Sequence, residues 1–313
     1  MEARMSERSV AIIGKGMIGI SLAVLFTGNG VHTTVLAKNS TVGLEKYRTY
    51  YKDLIAQKLV TAHQAAICER YLSFTEDYEA LSAAEVVIEC VIENLEVKYQ
   101  VYREIERHCP CLKAIASTTS AISPADLAKG VSQREKIMVA HPYNPPHMVP
   151  CVELVKNDFT SQDAQNTVVS LLEFCGREVC RMNKPVGGFI ANRLQHALYR
   201  EAVYMVEQGI CAPEDIDKCI RSSWGPRYTS IGLFEHFDYA GLDLIANIER
   251  YLYPDLCRDT DIQPYIQERL DRGDLGAKTG MGVYDWRQRD MDAFRNQASA
   301  PYLKFFNWKL PEK

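Results

Sequence analysis

Three polar side chains stand where apolar runs end. Ser120 closes the run 113–120, His141 closes 136–141, and Glu153 interrupts the apolar run 152–155. A carboxylate flanked by apolar residues is predicted to be buried and therefore to need a partner. His141 is the natural one. A His–Glu pair fixes the imidazole tautomer and raises its basicity. That suits a general base that takes a hydroxyl proton while a hydride leaves the same carbon. Taken alone, His141 reads as a strand-end histidine bonded to backbone. Beside Ser120, Glu153 and the glycine turn described next, the catalytic reading is favoured. The loop AHPYNPPH also carries Asn144, a candidate substrate contact, and His147, which ranks below His141 because it follows two prolines.

The glycine turn is Gly14-Lys15-Gly16-Met17-Ile18-Gly19. A β-branched run precedes it, a helical stretch follows, and a second apolar run covers 31–37, the context that a dinucleotide fingerprint requires. Gly14 permits the tight turn, Gly16 lets backbone approach a pyrophosphate, and Gly19 lets helix and strand pack closely. The helix start, with Met17 and Ile18, offers N–H groups to phosphate. An acidic ribose ligand is expected at the end of the second strand, yet Lys38 stands there, 19 residues after Gly19, followed by Asn39, Ser40 and Thr41. A cation beside hydroxyls suits the 2′-phosphate of NADP(H), and a solvated lysine tolerates NAD(H). Both cofactors stay open.

These residues need an α/β frame. Further buried strands are expected at 85–92, 113–118 and 136–141, and strand–helix alternation runs to about residue 184. The fold expected is a Rossmann-type doubly wound sheet over 1–184, followed by an all-helical part over 185–313 that serves substrate binding and dimerisation. Helices are expected at 41–70, at 192–208 with Leu194, Leu198, Ala202, Met205 and Val206 on one face, from Pro213, and at 234–252. Ligands bind beyond the carboxyl ends of such strands, where Ser120 and His141 lie. Asn192 opens a helix, from which its side chain would project towards the cleft, or it serves only as a cap.

Composition excludes several classes. The 313 residues carry 36 Lys plus Arg against 40 Asp plus Glu, a net charge of −4, so no basic excess exists to neutralise a nucleic-acid backbone. The first apolar run is broken by Gly14, Lys15, Gly16 and Gly19 and falls short of the roughly 20 apolar residues of a membrane helix. No metal site is expected: the ten cysteines include no CxxC pair and no Cys/His set at zinc spacing. They read as small hydrophobes and reduced thiols of a cytoplasmic protein with no secretory signal. Lys46, Lys52 and Lys58 read as a solvated face, or as a clamp for an anionic substrate tail.

The blocks GKGMIG, IECVIENLEVK, ASTTSAI, AHPYNPPHMVPCVELV, GGFIANRL and LGAKTGMGVYDW together resemble the L-3-hydroxyacyl-CoA dehydrogenases and their free-acid relatives, the gulonate and carnitine dehydrogenases and lambda-crystallin. The resemblance spans nearly the whole chain. It implies an NAD(P)-dependent oxidoreductase that interconverts a 3-hydroxy and a 3-oxo group of an acyl-CoA, as in fatty acid metabolism, or of a free acid. It places the family's catalytic serine, histidine, glutamate and asparagine on Ser120, His141, Glu153 and Asn192, and its cofactor-side residues on Glu93 and Lys98. The family's acidic ribose ligand falls on Lys38, and Thr118 stands where acyl-CoA enzymes often carry Asn. The NPPH form after His141, and Arg227 as a carboxylate contact, are closer to the free-acid branch. A homodimer formed through the helical part is implied. The rival of another class is a nucleotide-binding, crystallin-like protein without turnover.

Overall fold

In the computed structural model, residues 8–312 are described. Eight strands form one sheet in the order β3-β2-β1-β4-β5-β6-β7-β8. They are β1 Ser9–Ile13, β2 His32–Leu36, β3 Leu72–Thr75, β4 Val86–Glu89, β5 Ala114–Ser117, β6 Ile137–Pro142, β7 Cys151–Val155 and β8 Glu178–Met182. All neighbours are parallel except β6 and β7, which run antiparallel. The central strands are near-continuous apolar runs because both sheet faces are covered. Alternation along β1 sends Val10 and Ile12 into one core and Ala11 and Ile13 into the other.

Helices fill the crossovers. These are α1 Met17–Gly28, α2 Ser40–Ala56, α3 Ala62–Glu69, α4 Leu95–His108, α5 Pro124–Leu127 and α6 Gln162–Phe174. Within α1 every residue from Gly19 to Gly28 is buried. The stretch expected as one helix over 41–70 is two, with Lys58 at φ +61° between them. Lys46, Lys52 and Lys58 are exposed, and Arg48 pairs with Glu69. The chain order reverses between β1 and β4, so the crevice of a doubly wound sheet opens there.

The chain divides into two compact units, residues 1–190 with 295–313, and residues 191–294. This differs from the expected boundary at 184/185 at both ends. The last residues belong with the sheet because Trp308 is buried on α1, where a Cβ at Gly28 would meet its ring at 2.3 Å. The Lys309 N–H donates to Asn29 Oδ1 at 3.0 Å, and the Lys309 ammonium sits 3.4 Å over the Phe174 ring.

The second unit is helical. It holds α7 Ala191–Glu207, α8 Pro213–Ser222, α9 Leu233–Ala240, α10 Leu242–Leu252 and α11 Pro264–Arg272, and α12 Met291–Ser299 crosses the boundary. The helix expected over 234–252 is broken at Gly241, whose φ of +97° no helix accommodates. Few of this unit's side chains are buried, and Leu194, Leu198, Phe234 and Tyr251 lie open. Among the described residues no helix is long and apolar enough to cross a membrane.

Candidate active site and family membership

The glycine turn joins β1 to α1. Gly14 has φ +119°, and a Cβ there would lie 2.6 Å from the Cys90 carbonyl oxygen of β4's end. A Cβ on Gly19 would lie 2.2 Å from the Gly14 carbonyl oxygen, so neither position admits a side chain. Gly16 caps α1, and its open side has no atom within 4 Å. Met17 is exposed and Ile18 half-buried at the helix start. A turn closed on its inner side and open at the helix N-terminus fits the pyrophosphate of a dinucleotide.

Lys38 is exposed beyond β2, as expected, but the structure adds two groups there that the sequence left unread. The Lys15 ammonium donates to the carbonyls of Lys38 and Asn39. Glu76, just past β3, accepts the Asn39 N–H at 2.8 Å. A carboxylate therefore does stand at the end of β2, supplied by the neighbouring strand.

Beyond β4 lies a buried charge network. Glu89 is fully buried and accepts four donors: the Lys98 ammonium at 2.7 Å, the Val91 N–H at 2.8 Å, the Tyr102 hydroxyl at 2.9 Å and the Ser117 hydroxyl at 2.7 Å. Burial, reinforced by Glu89, pushes the Tyr102 hydroxyl's pKa up, so it stays a donor. Lys98, from an α4 capped by Asn94, reaches on to Glu93 at 3.5 Å. Glu93 in turn accepts the Thr119 hydroxyl at 2.8 Å and the Ser120 N–H at 3.0 Å. The two cofactor-side residues inferred from resemblance thus hold the loop that carries Ser120. Ser120 itself is exposed.

The antiparallel turn from β6 to β7 makes His141 and Glu153 direct cross-strand partners. His141 Nδ1 lies 2.9 Å from Glu153 Oε2. Glu153 is 1% exposed and also accepts the Ile190 N–H at 2.8 Å. An ionised Glu153 places the ring proton on Nδ1 and leaves Nε2 as the basic nitrogen. Tyr143 and Phe189 flank the ring edgewise or tilted, at 5.2 and 5.3 Å between centroids.

His147 has a different place. Its backbone N–H donates to Ser21 Oγ at 3.0 Å, and the Ser21 hydroxyl meets Nδ1 at 2.7 Å. Burial pulls its pKa down to about 4, so it stays neutral and pins the loop to α1. Asn144 is exposed and precedes Pro145 through a cis peptide bond. Asn192 lies in the first turn of α7, and Arg227 in a single helical turn where its Nη1 meets His236 Nε2 at 2.8 Å; both belong to the second unit.

Sequence reading missed Glu89, although the signal that found Glu153 was present: one carboxylate inside VVIECVI. Thr119, Lys15 and Glu76 carry no sequence signal, because their roles depend on which loops meet.

Two family models match in chain order. The 3-hydroxyacyl-CoA dehydrogenase NAD binding domain covers residues 9–185, and the 3-hydroxyacyl-CoA dehydrogenase C-terminal domain covers 188–286. The chain is 32% identical over 283 residues to 5-formyl-3-hydroxy-2-methylpyridine 4-carboxylate 5-dehydrogenase of Mesorhizobium japonicum, covering 88% of this chain and 90% of the relative. It is 34% identical over 239 residues to L-carnitine dehydrogenase of Oceanobacillus iheyensis, covering 75% and 76%. A solved structure of the former kind of enzyme, described as an NAD+ dependent dismutase, superposes with a TM-score of 0.82 at 29% identity over 96% of each chain. The chain belongs to the 3-hydroxyacyl-CoA dehydrogenase family, whose members are NAD-dependent oxidoreductases acting on CH–OH groups.

Proposed function

We propose that the protein is an NAD(H)-dependent dehydrogenase of a small hydroxy acid with a free carboxylate. The observation that carries this reading is the buried His141–Glu153 pair at the carboxyl edge of a dinucleotide-type sheet. His141 Nε2 takes the substrate hydroxyl proton, and Glu153 stabilises the imidazolium that forms. Ser120 and Asn192 hydrogen-bond the oxygen that becomes the carbonyl. A nicotinamide cofactor held at the Gly14–Gly19 turn would supply the hydride acceptor for oxidation and the hydride donor for reduction. The Gly14–Gly19 turn and the start of α1 hold its pyrophosphate, and Lys98 and Glu93 set the loop beside it.

NAD(H) is favoured over NADP(H). The ammonium of Lys15 is occupied by two carbonyls, and the Glu76 carboxylate repels a 2′-phosphate. A free acid is favoured over an acyl-CoA because Arg227, which meets His236 through Nη1, has further guanidinium N–H groups to offer a carboxylate. Asn144 adds a polar contact from the β6–β7 loop. Two copies pair through the helical unit, whose groove of about 480 Å³ between α7 and α8 is lined by Leu198, Tyr199 and Ile216. A nucleotide-binding, crystallin-like role without turnover uses the turn but has no need of the buried His141–Glu153 pair, so it is the weaker reading.

The test is a fluorescence titration with NADH and NADPH, followed by NAD+ reduction with a panel of free hydroxy acids and their CoA thioesters. Tight NADH and turnover of free acids is the expected result. Turnover of thioesters alone contradicts the free-acid assignment, and binding of neither cofactor contradicts the enzyme assignment.

A further inference from the structure

The register across β6, β7 and β8 puts His141, Glu153 and Cys180 in one row. Laterally paired residues share a sheet face, so Cys180 flanks Glu153 on the side away from His141. Cys151, two residues before Glu153 on the same face of β7, has its Sγ 3.8 Å from Cys180 Sγ. Cys180 is exposed and Cys151 half-buried, so a small reagent can reach the pair.

The other thiols are less suited. Cys68, Cys109, Cys175 and Cys257 are buried. Burial pushes the thiols of Cys90 and Cys175 up to about 12 and that of Cys109 up to about 11. Cys180 goes the other way: the Cys151 S–H beside it holds its thiol down at about 7. Cys111 and Cys219 are exposed and Cys211 is half-buried, and the thiol beside Cys111 is the buried Cys109.

We propose that Cys180, with Cys151 as its resolving partner, is a modification site for hydroperoxides, and that its oxidation acts on the His141–Glu153 pair through β7. The Cys180 thiolate attacks the outer peroxide oxygen. The O–O bond breaks, the remaining alkoxide or hydroxide leaves with a proton as alcohol or water, and Cys180 becomes a sulfenic acid. The Cys151 sulfur then attacks the sulfenic sulfur, the S–O bond breaks, and the oxygen leaves as water with the Cys151 proton. Two thiols lose two electrons in total, and the peroxide gains them. Cys151 is laterally opposite Glu178 and Cys180 opposite Glu153, so the two cysteines are diagonal neighbours, about 7–8 Å apart in a ladder. At more than about 7 Å a disulfide closes only with backbone movement, so β7 and β8 shift when the 3.8 Å contact becomes a bond. Glu153 sits between the points that move. A proton-transfer pair tolerates displacements of only about 0.5 Å.

The experiment treats the full-length protein with hydrogen peroxide and maps its peptides without reduction. The expected product is a Cys151–Cys180 link in the wild type that is missing in Cys180→Ser and Cys151→Ser. The imidazole ¹⁵N resonances of His141 should shift on oxidation and return with a thiol reductant. Turnover, where a substrate is in hand, should fall at least tenfold in the wild type and stay unchanged in Cys180→Ser. Oxidation confined to Cys111 or Cys219 overturns the site. A link that leaves the His141 resonances in place overturns the coupling. Both readouts decide without a known substrate, so failure of the dehydrogenase reading would be seen separately.

Discussion

Glu89 and Lys98 form an ion pair that is 0% and 1% exposed, with 2.7 Å between oxygen and nitrogen. Its geometry explains how a chain can hold two charges in an apolar layer: Tyr102, Ser117 and the Val91 N–H satisfy the remaining acceptor capacity of the carboxylate. Breaking such a pair from one side strands the other charge. Glu89→Gln should therefore cost about 3–5 kcal/mol of stability. Denaturant midpoints check this, and the double variant Glu89→Gln with Lys98→Met should recover much of the loss. A single variant within about 1 kcal/mol of wild type would contradict the account.

His147 should make stability depend on pH. Its folded pKa lies near 4, below the ordinary 6.5, because it is buried. The unfolded chain therefore takes up a proton on acidification before the native state does. Stability is fully present above pH 6.5 and falls as pH drops towards 4, by up to about 3 kcal/mol from this residue. Melting temperatures of wild type and His147→Asn between pH 7 and pH 4.5 check this. The wild-type slope should be the steeper, and parallel slopes would refute it.

Trp308 closes the first unit over α1. Trp308→Ala should cost about 3–5 kcal/mol, the usual loss for removing a large buried ring. Calorimetry should show a lowered melting point. An unchanged melting point would mean that residues 295–312 do not belong to the first unit's core.

Glu76 should set cofactor choice. Removing its charge by Glu76→Gln should strengthen NADPH binding several-fold relative to NADH, in line with the ~1 kcal/mol or less of an exposed charge pair. Titration of both cofactors by fluorescence measures the ratio. A ratio equal to wild type would remove Glu76 from the specificity argument.

Much of this was legible in the sequence because it is local. The turn Gly14–Gly19 shows its strand and helix within about 30 residues, and Glu153 shows itself as a charge among apolar neighbours. The doubly wound character of the first unit and the helical content of the second follow from alternation and periodicity. What escaped is what depends on chain segments meeting. The β6–β7 antiparallel turn gives no periodicity signal, although the His141–Glu153 pairing that it produces is expected from the buried carboxylate's need of a partner. Trp308 lies about 280 positions from the Gly28 it covers, so no window spans the contact. Glu76 reaches Asn39 only because β3 lies beside β2. The break at Gly241 was missed because one glycine inside an apolar pattern reads as a tolerated defect.

The most direct test of the central claim compares wild type with His141→Gln under saturating NAD+ and a substrate from the free-acid panel, with NADH affinity measured on both. The account predicts a kcat/KM reduced by roughly a hundredfold or more, with NADH binding unchanged. Undiminished turnover in His141→Gln would contradict it.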